Sequence, residues 1–347
     1  MRRQIRFDAL VTIVALVALS CGGTPTAQSS PTVAPTVART AAATPAPTPA
    51  PTFVPSRAVE LVVQAAAGGG SDIFARRIAD VLAKEKLVSQ PINVVNKAGG
   101  SGAVAYAYVQ QKATDPHVLA TVTLSYLSTP MQQATGFTYK DFTNFVVLAV
   151  DDFIAVVKAE SPYKDLKDLI AAAKAKPKEI KVGGTQVGSS ASIIPALIEQ
   201  QAGVQFNYIT FKSGGEVNAA LLGGTVDFAI ANPGESLSLI EGKKLRAVAS
   251  FSPERLKGSS VPTAKEQGTD VVWEQFRGII GSGGLTSEQR SFWEKALTQM
   301  TKSADWQKYL DENTLRPLVK TGAEAQAYLD AQNTSLKAVL TKLGLVK

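Results

Sequence analysis

Cysteine and histidine are nearly absent, with one of each in 347 residues. The lone cysteine, Cys21, leaves nothing for a disulfide, a cysteine metal site or a thiol nucleophile in the folded part. The lone histidine, His117, argues against Ser-His-Asp chemistry and against a histidine-rich metal centre. It stands just before a strand pattern in "DPHVLA" and reads as structural. Glu60, Asp227 and the other acids show no paired spacing on a helix, so neither metal nor cofactor is expected. The chain also lacks the G-x-G-x-x-G spacing of a dinucleotide turn and any GK[ST] phosphate loop. Positive charge is in small excess, net +7. Arg2, Arg3, Arg6 and Asp8 supply +2 of this and Arg39 supplies +1, which leaves +4 on the rest. That balance gives no reason to invoke nucleic acid and suits a protein that handles anions.

What is present begins with a segment of secretory type. "MRRQIRFD" is basic, and "ALVTIVALVALS" is an apolar stretch of 12 residues. A membrane-spanning helix needs roughly 20. The stretch runs into "CGG" at Cys21, as in a lipoprotein signal whose cysteine is lipidated and becomes the new N-terminus. An ordinary cleaved signal with an incidental cysteine is the alternative. Residues 1–20 are thus a signal peptide, and residues 21–57 a lipidated cysteine followed by a Thr, Pro and Ala-rich linker, as in "TPAPTPAPTFVP". That composition buries no core and favours extended polyproline II. At about 3.1 Å per residue it reaches on the order of 100 Å. The globular part would be held off the outer face of a membrane.

From Val59 onward, short β-branched runs alternate with amphipathic segments. "VELVVQ", "INVVN", "VLATVTL", "FVVLAV", "FIAVVK", "IKVGGT", "FNYITF", "VDFAIAN" and "LRAVASF" read as strands. Phe74, Ile78, Val81 and Leu82 fall at i, i+4, i+7 and i+8 and predict a helix. "SASIIPALIEQQAG" predicts another, which Pro195 either interrupts or begins. The alternation predicts an α/β fold with largely parallel sheets, and the length suits about two domains.

Four strand-to-helix turns are rich in glycine: "QAAAGGGSD", "NKAGGSGA", "GGTQVGSSAS" and "FKSGGE". The first amides of a helix lack internal partners and carry partial positive charge. With no side chain in the way they bind anions through backbone alone. Such turns are also common as plain turn chemistry. Several facing one another would suit a ligand with two or more carboxylates.

The order and spacing of "AAAGGGSDIFARRIADVL", "VVNKAGGSGAVAYAYV", "VGSSASIIPALIEQQAGV", "FKSGGEVNAALLGGTVDFAIAN", "GKKLRAVASFSPERL" and "FRGIIGSGGLT" complete the pattern. Over almost 290 residues the chain resembles the substrate-binding proteins of tripartite tricarboxylate transporters, the Bug/TctC receptor family. The resemblance implies a type II periplasmic-binding-protein fold, with two α/β domains joined by hinge strands around a ligand cleft. Domain 1 would be residues 58–157 plus 275–347, and domain 2 residues 158–274. It implies a small carboxylate ligand, a di- or tricarboxylate or related organic acid, delivered to membrane transporter subunits by a monomer that performs no chemistry. The family's opposed turns map onto Ala67, Gly68, Gly69, Gly70, Ser71 and Asp72 in domain 1, and onto Gln186, Val187, Gly188, Ser189 and Ser190 in domain 2. The chain departs from the family where "AAA" replaces the usual proline turn, "TFKSGG" replaces P-Y-x-G, and "TLSYLSTP" replaces an aromatic-rich segment.

Further candidates come from position. Asp72 suits a helix cap or the orientation of an amide turn. Arg277 suits either a bidentate carboxylate contact or an interdomain salt bridge. Asn232, at a strand end, and Thr123, Ser125 and Tyr126, after another strand, are candidates for the distal part of the ligand. Lys212 reads as solvated, and Trp273, Trp293 and Trp306 as packing residues. Two other functions stand as alternatives. One is a ligand sensor for a signalling partner; the other is a surface hydrolase on a similar scaffold, for which no nucleophile-base pair is found.

Overall fold

The computed structural model describes residues 52–346. The signal segment, Cys21 and nearly all of the linker lie outside the described residues. Two mixed sheets organise the rest into two lobes. The first sheet has the order β11-β4-β10-β3-β1-β2. Its members are β1 (Val59–Val63), β2 (Ile92–Asn96), β3 (Val118–Val122), β4 (Thr143–Asp152), β10 (Glu274–Gly281) and β11 (Arg316–Thr321). The second, β7-β6-β8-β5-β9, holds β5 (Ile154–Lys158), β6 (Lys181–Gly184), β7 (Asn207–Thr210), β8 (Phe228–Ala231) and β9 (Leu245–Ser250).

The sheets are less parallel than the alternation of elements predicts. In the first, β2, β1 and β3 pair in parallel, whereas β10 runs antiparallel to β3 and β4, and β11 antiparallel to β4. In the second, β6 pairs in parallel with β7 and β8, while β5 is antiparallel to β8 and β9. β5 and β10, which run against their neighbours, are the strands that enter each lobe from the other, while β11 runs antiparallel to β4 at the edge of the first sheet. A strand that arrives from the other lobe, without a helical crossover, is free of the parallel βαβ rule.

The crossings also correct a boundary. β4 ends at Asp152 and β5, in the second sheet, begins at Ile154. The chain therefore changes lobe at Phe153, before the expected residue 157. It returns through the segment between β9 and β10.

Each sheet is covered on both faces, and the strands alternate accordingly. Val59, Leu61 and Val63 of β1 pack with Phe74, Ile78, Val81 and Leu82 of α1 (Gly70–Lys84), and with Trp293 of α8 (Ser287–Met300) and Trp306 of α9 (Ala304–Glu312). Val62 faces the other way, towards Tyr106 of α2 (Ala103–Gln110) and Leu329 and Leu336 of α10 (Gly322–Lys342). In the second lobe Ala155 and Val157 face Leu169 of α4 (Leu166–Ala175) and Ile194 and Ile198 of α5 (Ser190–Ala202). Ile154 and Val156 face Val217 and Leu221 of α6 (Gly214–Leu222). This period of two on both faces is the pattern of strands buried between helical layers. Pro195 lies inside α5, which continues through it. His117 is buried beneath Ser56, whose backbone amide donates to its ring at 3.1 Å, and beside Asp115 at 3.0 Å.

Candidate ligand-binding cleft

Among the helices that start at the space between the lobes are α1 from the first and α5 and α7 (Pro233–Glu241) from the second. Their N-caps are Gly69, Ser189 and Asn232, and none makes a side-chain capping hydrogen bond. By contrast α4, α8 and α9, which start away from the cleft, are capped by Asp165, Thr286 and Ser303. α6, which also opens at the cleft, is capped by Ser213, whose hydroxyl accepts from the Glu216 amide at 3.3 Å. A polar cap is worth about 1 kcal/mol to a helix. With no such cap, the first turns of α1, α5 and α7 border a shared cavity of about 60 Å³, although Pro233 at the start of α7 has no N–H and the Gly70 amide of α1 is taken by a carboxylate of the second lobe.

The cavity brings together Gly69, Gly70, Ser71, Thr123, Ser125, Gln186, Ser189, Ser190, Asn232 and Arg277 from the expected set. It does not take in Ala67, Gly68, Asp72, Tyr126, Val187 or Gly188. Ala67 and Gly68 are exposed at the outer edge of their turn. Tyr126 is a correction: it is fully buried among Tyr106 and Phe142, and its hydroxyl donates to the Tyr139 carbonyl at 2.9 Å. Its segment forms a helix, α3 (Ser125–Gln132), which turns Tyr126 into the core while Ser125 faces the cleft. Val187 is half exposed.

Gly188 has a different role. Its φ of +83° is left-handed, and a Cβ there would overlap the Gln132 side chain of the first lobe. Its carbonyl accepts from Ser128 Oγ at 2.6 Å. Gly188 therefore lets the lobes meet. Elsewhere Gly69 and Ser213 approach closely across the cleft, and Ser190 Oγ reaches Gln275 Oε1 at 3.1 Å. The lobes are closed on one another.

Asp72 builds the turn from beneath. Its carboxylate accepts from the Gly68 amide, from Arg76 Nε and from Asn96 Nδ2, each at 3.0 Å. Burial raises its pKa, but these three donors outweigh burial and hold it below the usual aspartate range. Gln64, at the end of β1, was not anticipated. It accepts from Thr121 Oγ1 at 2.7 Å and donates to Ser71 Oγ at 3.0 Å, which orients a cavity hydroxyl.

Arg277 lines the cavity and is paired with buried Asp151, a salt bridge within one lobe and not the interdomain one expected. Both residues belong to the first sheet, on β10 and β4, so the pair lies within one lobe. Nε and Nη2 of Arg277 both donate to Asp151 Oδ2, the former at 2.8 Å. Asn232 of the second lobe donates to the same oxygen at 2.6 Å. Lys212 is exposed, Trp293 and Trp306 are buried in the first core, and Trp273 packs partly buried between two cores.

The largest omission from the sequence reading is Glu235, in the first turn of α7. Its carboxylate accepts from the Gly70 amide of the opposite lobe. Burial pushes its pKa above the ordinary glutamate range, opposed by the Arg277 charge and the Gly70 amide. In sequence an acid in the first turn of a helix reads as ordinary dipole chemistry. Nothing in "NPGES" signals that it crosses a cleft.

Among the described residues no metal-binding cluster of His, Cys, Asp and Glu is found, and no helix is long and apolar enough to cross a membrane. The residues lining the cavity include no His, Lys or Cys.

The Asp72 network gives a signed expectation. A carboxylate whose folded pKa is depressed contributes stability above its unfolded value, and this is lost as pH falls through the folded one. Asp72→Asn should cost about 1–3 kcal/mol at pH 7. The gap from wild type should narrow below about pH 4, where the unfolded carboxylate titrates. Denaturant unfolding at both pH values measures it; a gap that is constant with pH contradicts the assigned role.

Comparison with known proteins agrees with this geometry. Residues 74–345 match the family described as "Tripartite tricarboxylate transporter family receptor". The "UPF0065 protein in gbd 5'region" of Cupriavidus necator is 29% identical over 295 residues, 84% of this chain and 89% of its own. Protein BugT of Bordetella pertussis is 31% identical over 224 residues, 62% of this chain and 67% of its own. A protein of R. palustris solved with adipate superposes with a TM-score of 0.78 at 24% identity, covering 84% of this chain and 99% of that one. The fold is that of the two-lobed periplasmic binding proteins, and the chain belongs to the tripartite tricarboxylate transporter receptor family, the Bug/TctC receptors.

Proposed function

We propose that this chain is an extracytoplasmic solute-binding lipoprotein. It captures a small organic carboxylate between its lobes, acts as a monomer, performs no chemistry on the ligand, and passes it to the membrane subunits of a tripartite tricarboxylate transporter. One observation carries the ligand class: uncapped helix starts from both lobes bound a single cavity lined by seven serine and threonine hydroxyls. Helix-start amides with hydroxyls are a preformed anion site that needs no lysine. The adipate held by the R. palustris protein of the same fold supports the same class. The hydroxyls have no histidine or lysine beside them in the cavity to act as a base.

Ligand bound only to the closed fold stabilises it by about 2.7 kcal/mol at a hundred times its Kd. Thermal unfolding against mono-, di- and tricarboxylates, acidic amino acids and aromatic acids should therefore show a rise of several degrees with one subset. A cooperative melt that no carboxylate moves contradicts the carboxylate reading.

The anchor is supported by the basic segment, the apolar stretch and Cys21 that follows it. Cys21→Ala should move the protein from the membrane fraction to the soluble extracytoplasmic fraction. Retention of the variant in membranes contradicts lipidation at Cys21.

A further inference from the structure

Glu235 is held where it is by its own lobe. The Asn218 side chain of α6 donates to the Glu235 carbonyl at 2.9 Å and accepts from Ser236 Oγ at 3.0 Å. These bonds fix the first turn of α7 and aim the Glu235 side chain across the cleft. Both lobes make room for it with glycine. A Cβ on Gly70 would stand 2.7 Å from Oε1, and a Cβ on Gly214 would overlap Oε2. Tyr309 and Asn313 of the first lobe close the outer side. The carboxylate thus sits on the Gly70 amide, at the position a ligand anion would take.

The charges around it do not balance. Among the described residues that line the cavity, Arg277 is the one cation and Glu235 the one acid. Arg277 is already committed to Asp151, which lies behind the cavity wall and is fully buried. With both acids ionised, Asp151, Glu235 and Arg277 leave a formal charge of −1 at this part of the cleft. The rest of the lining is different: Ser71, Thr123, Ser125, Thr185, Ser189 and Ser190 present hydroxyls and helix-start amides with no acid among them. The cavity thus has one anion position filled by the protein's own carboxylate, on the Gly70 amide, and a serine-rich remainder that lacks one.

We propose that Glu235 is a specificity-determining residue: it fills the anion position on the glycine turn of the first lobe, so the cleft selects a ligand with a single carboxylate. That carboxylate occupies the serine-rich remainder, and the ligand turns a neutral or cationic group, a hydroxyl, amide or ammonium, towards Glu235. A second carboxylate would meet a like charge in a partly buried site, with no free cation in the cavity lining to offset it. The inference rests on the carboxylate reading above and narrows it.

Matched ligands test it. Calorimetric titration of the full chain uses succinate, succinamate and 4-aminobutanoate, and then the six-carbon set of adipate, its monoamide and 6-aminohexanoate. Wild type should bind the better monoanion of a set at least tenfold tighter than the diacid. Glu235→Gln should cut that preference at least tenfold, mainly by tighter binding of the diacid. Glu235→Asp keeps the charge and should keep the preference. Equal affinity for diacid and monoanion in wild type, or a preference that Glu235→Gln leaves unchanged, overturns the role of Glu235 while leaving carboxylate capture intact. Loss of the preference in Glu235→Asp as well assigns it to shape and overturns the charge selection. No uptake of any carboxylate by wild type or variants overturns the carboxylate reading itself, and this inference with it.

Discussion

Backbone N–H groups at the start of a helix have no partner in the helix, and in a closed cleft they have little water to turn to. The cleft is organised around that requirement. α1 and α5 begin there without side-chain caps, on Gly69 and Ser189. The glycines before α1 keep side chains out of the way, and Asp72 ties the turn from below so that the amides point outward. Close approach of the lobes follows the same need. Gly188, in a left-handed conformation that costs other residues energy, allows the second turn to lie against α3.

The hinge supplies the rigid side of the cleft. β4 and β10 lie side by side where the chain leaves and re-enters the first lobe, and they carry Asp151 and Arg277. Removing one partner of such a buried pair leaves an uncompensated charge, which costs about 3–5 kcal/mol. Asn232 and Ser190 reach this patch from the second lobe, through Asp151 and Gln275. Closure therefore joins polar groups on both lobes to a fixed charge pair at the hinge, and gives the closed state a defined geometry.

Much of this was legible in the sequence, for physical reasons. Strand and helix periods are strong signals where both faces of a sheet are buried, as at Val59, Leu61 and Val63 against Val62. The glycine turns and their serines carried six of the ten expected residues that line the cavity, Gly69, Gly70, Ser71, Gln186, Ser189 and Ser190. What was missed depends on tertiary placement. β11 contains Pro317 and is largely exposed, so it lacks a strand signature, yet it pairs at the edge of the sheet, where a proline is tolerated. Tyr126 lies one residue from a cavity hydroxyl, and only the helical turn of α3 decides which of the two faces inward. Asp151 and Asp152 separate "FVVLAV" from "FIAVVK" in the sequence, but nothing there shows that the two strands join different sheets at Phe153. Glu235 looks like a routine acid at a helix start until the opposite lobe supplies the Gly70 amide.

A crystal structure of the closed protein with a small carboxylate tests the central claim most directly. The carboxylate oxygens should lie between the lobes, against the hydroxyls and helix-start amides of Ser71, Ser189 and Ser190. A carboxylate held instead by exposed cations such as Arg76 or Lys212, outside the cavity, would contradict it.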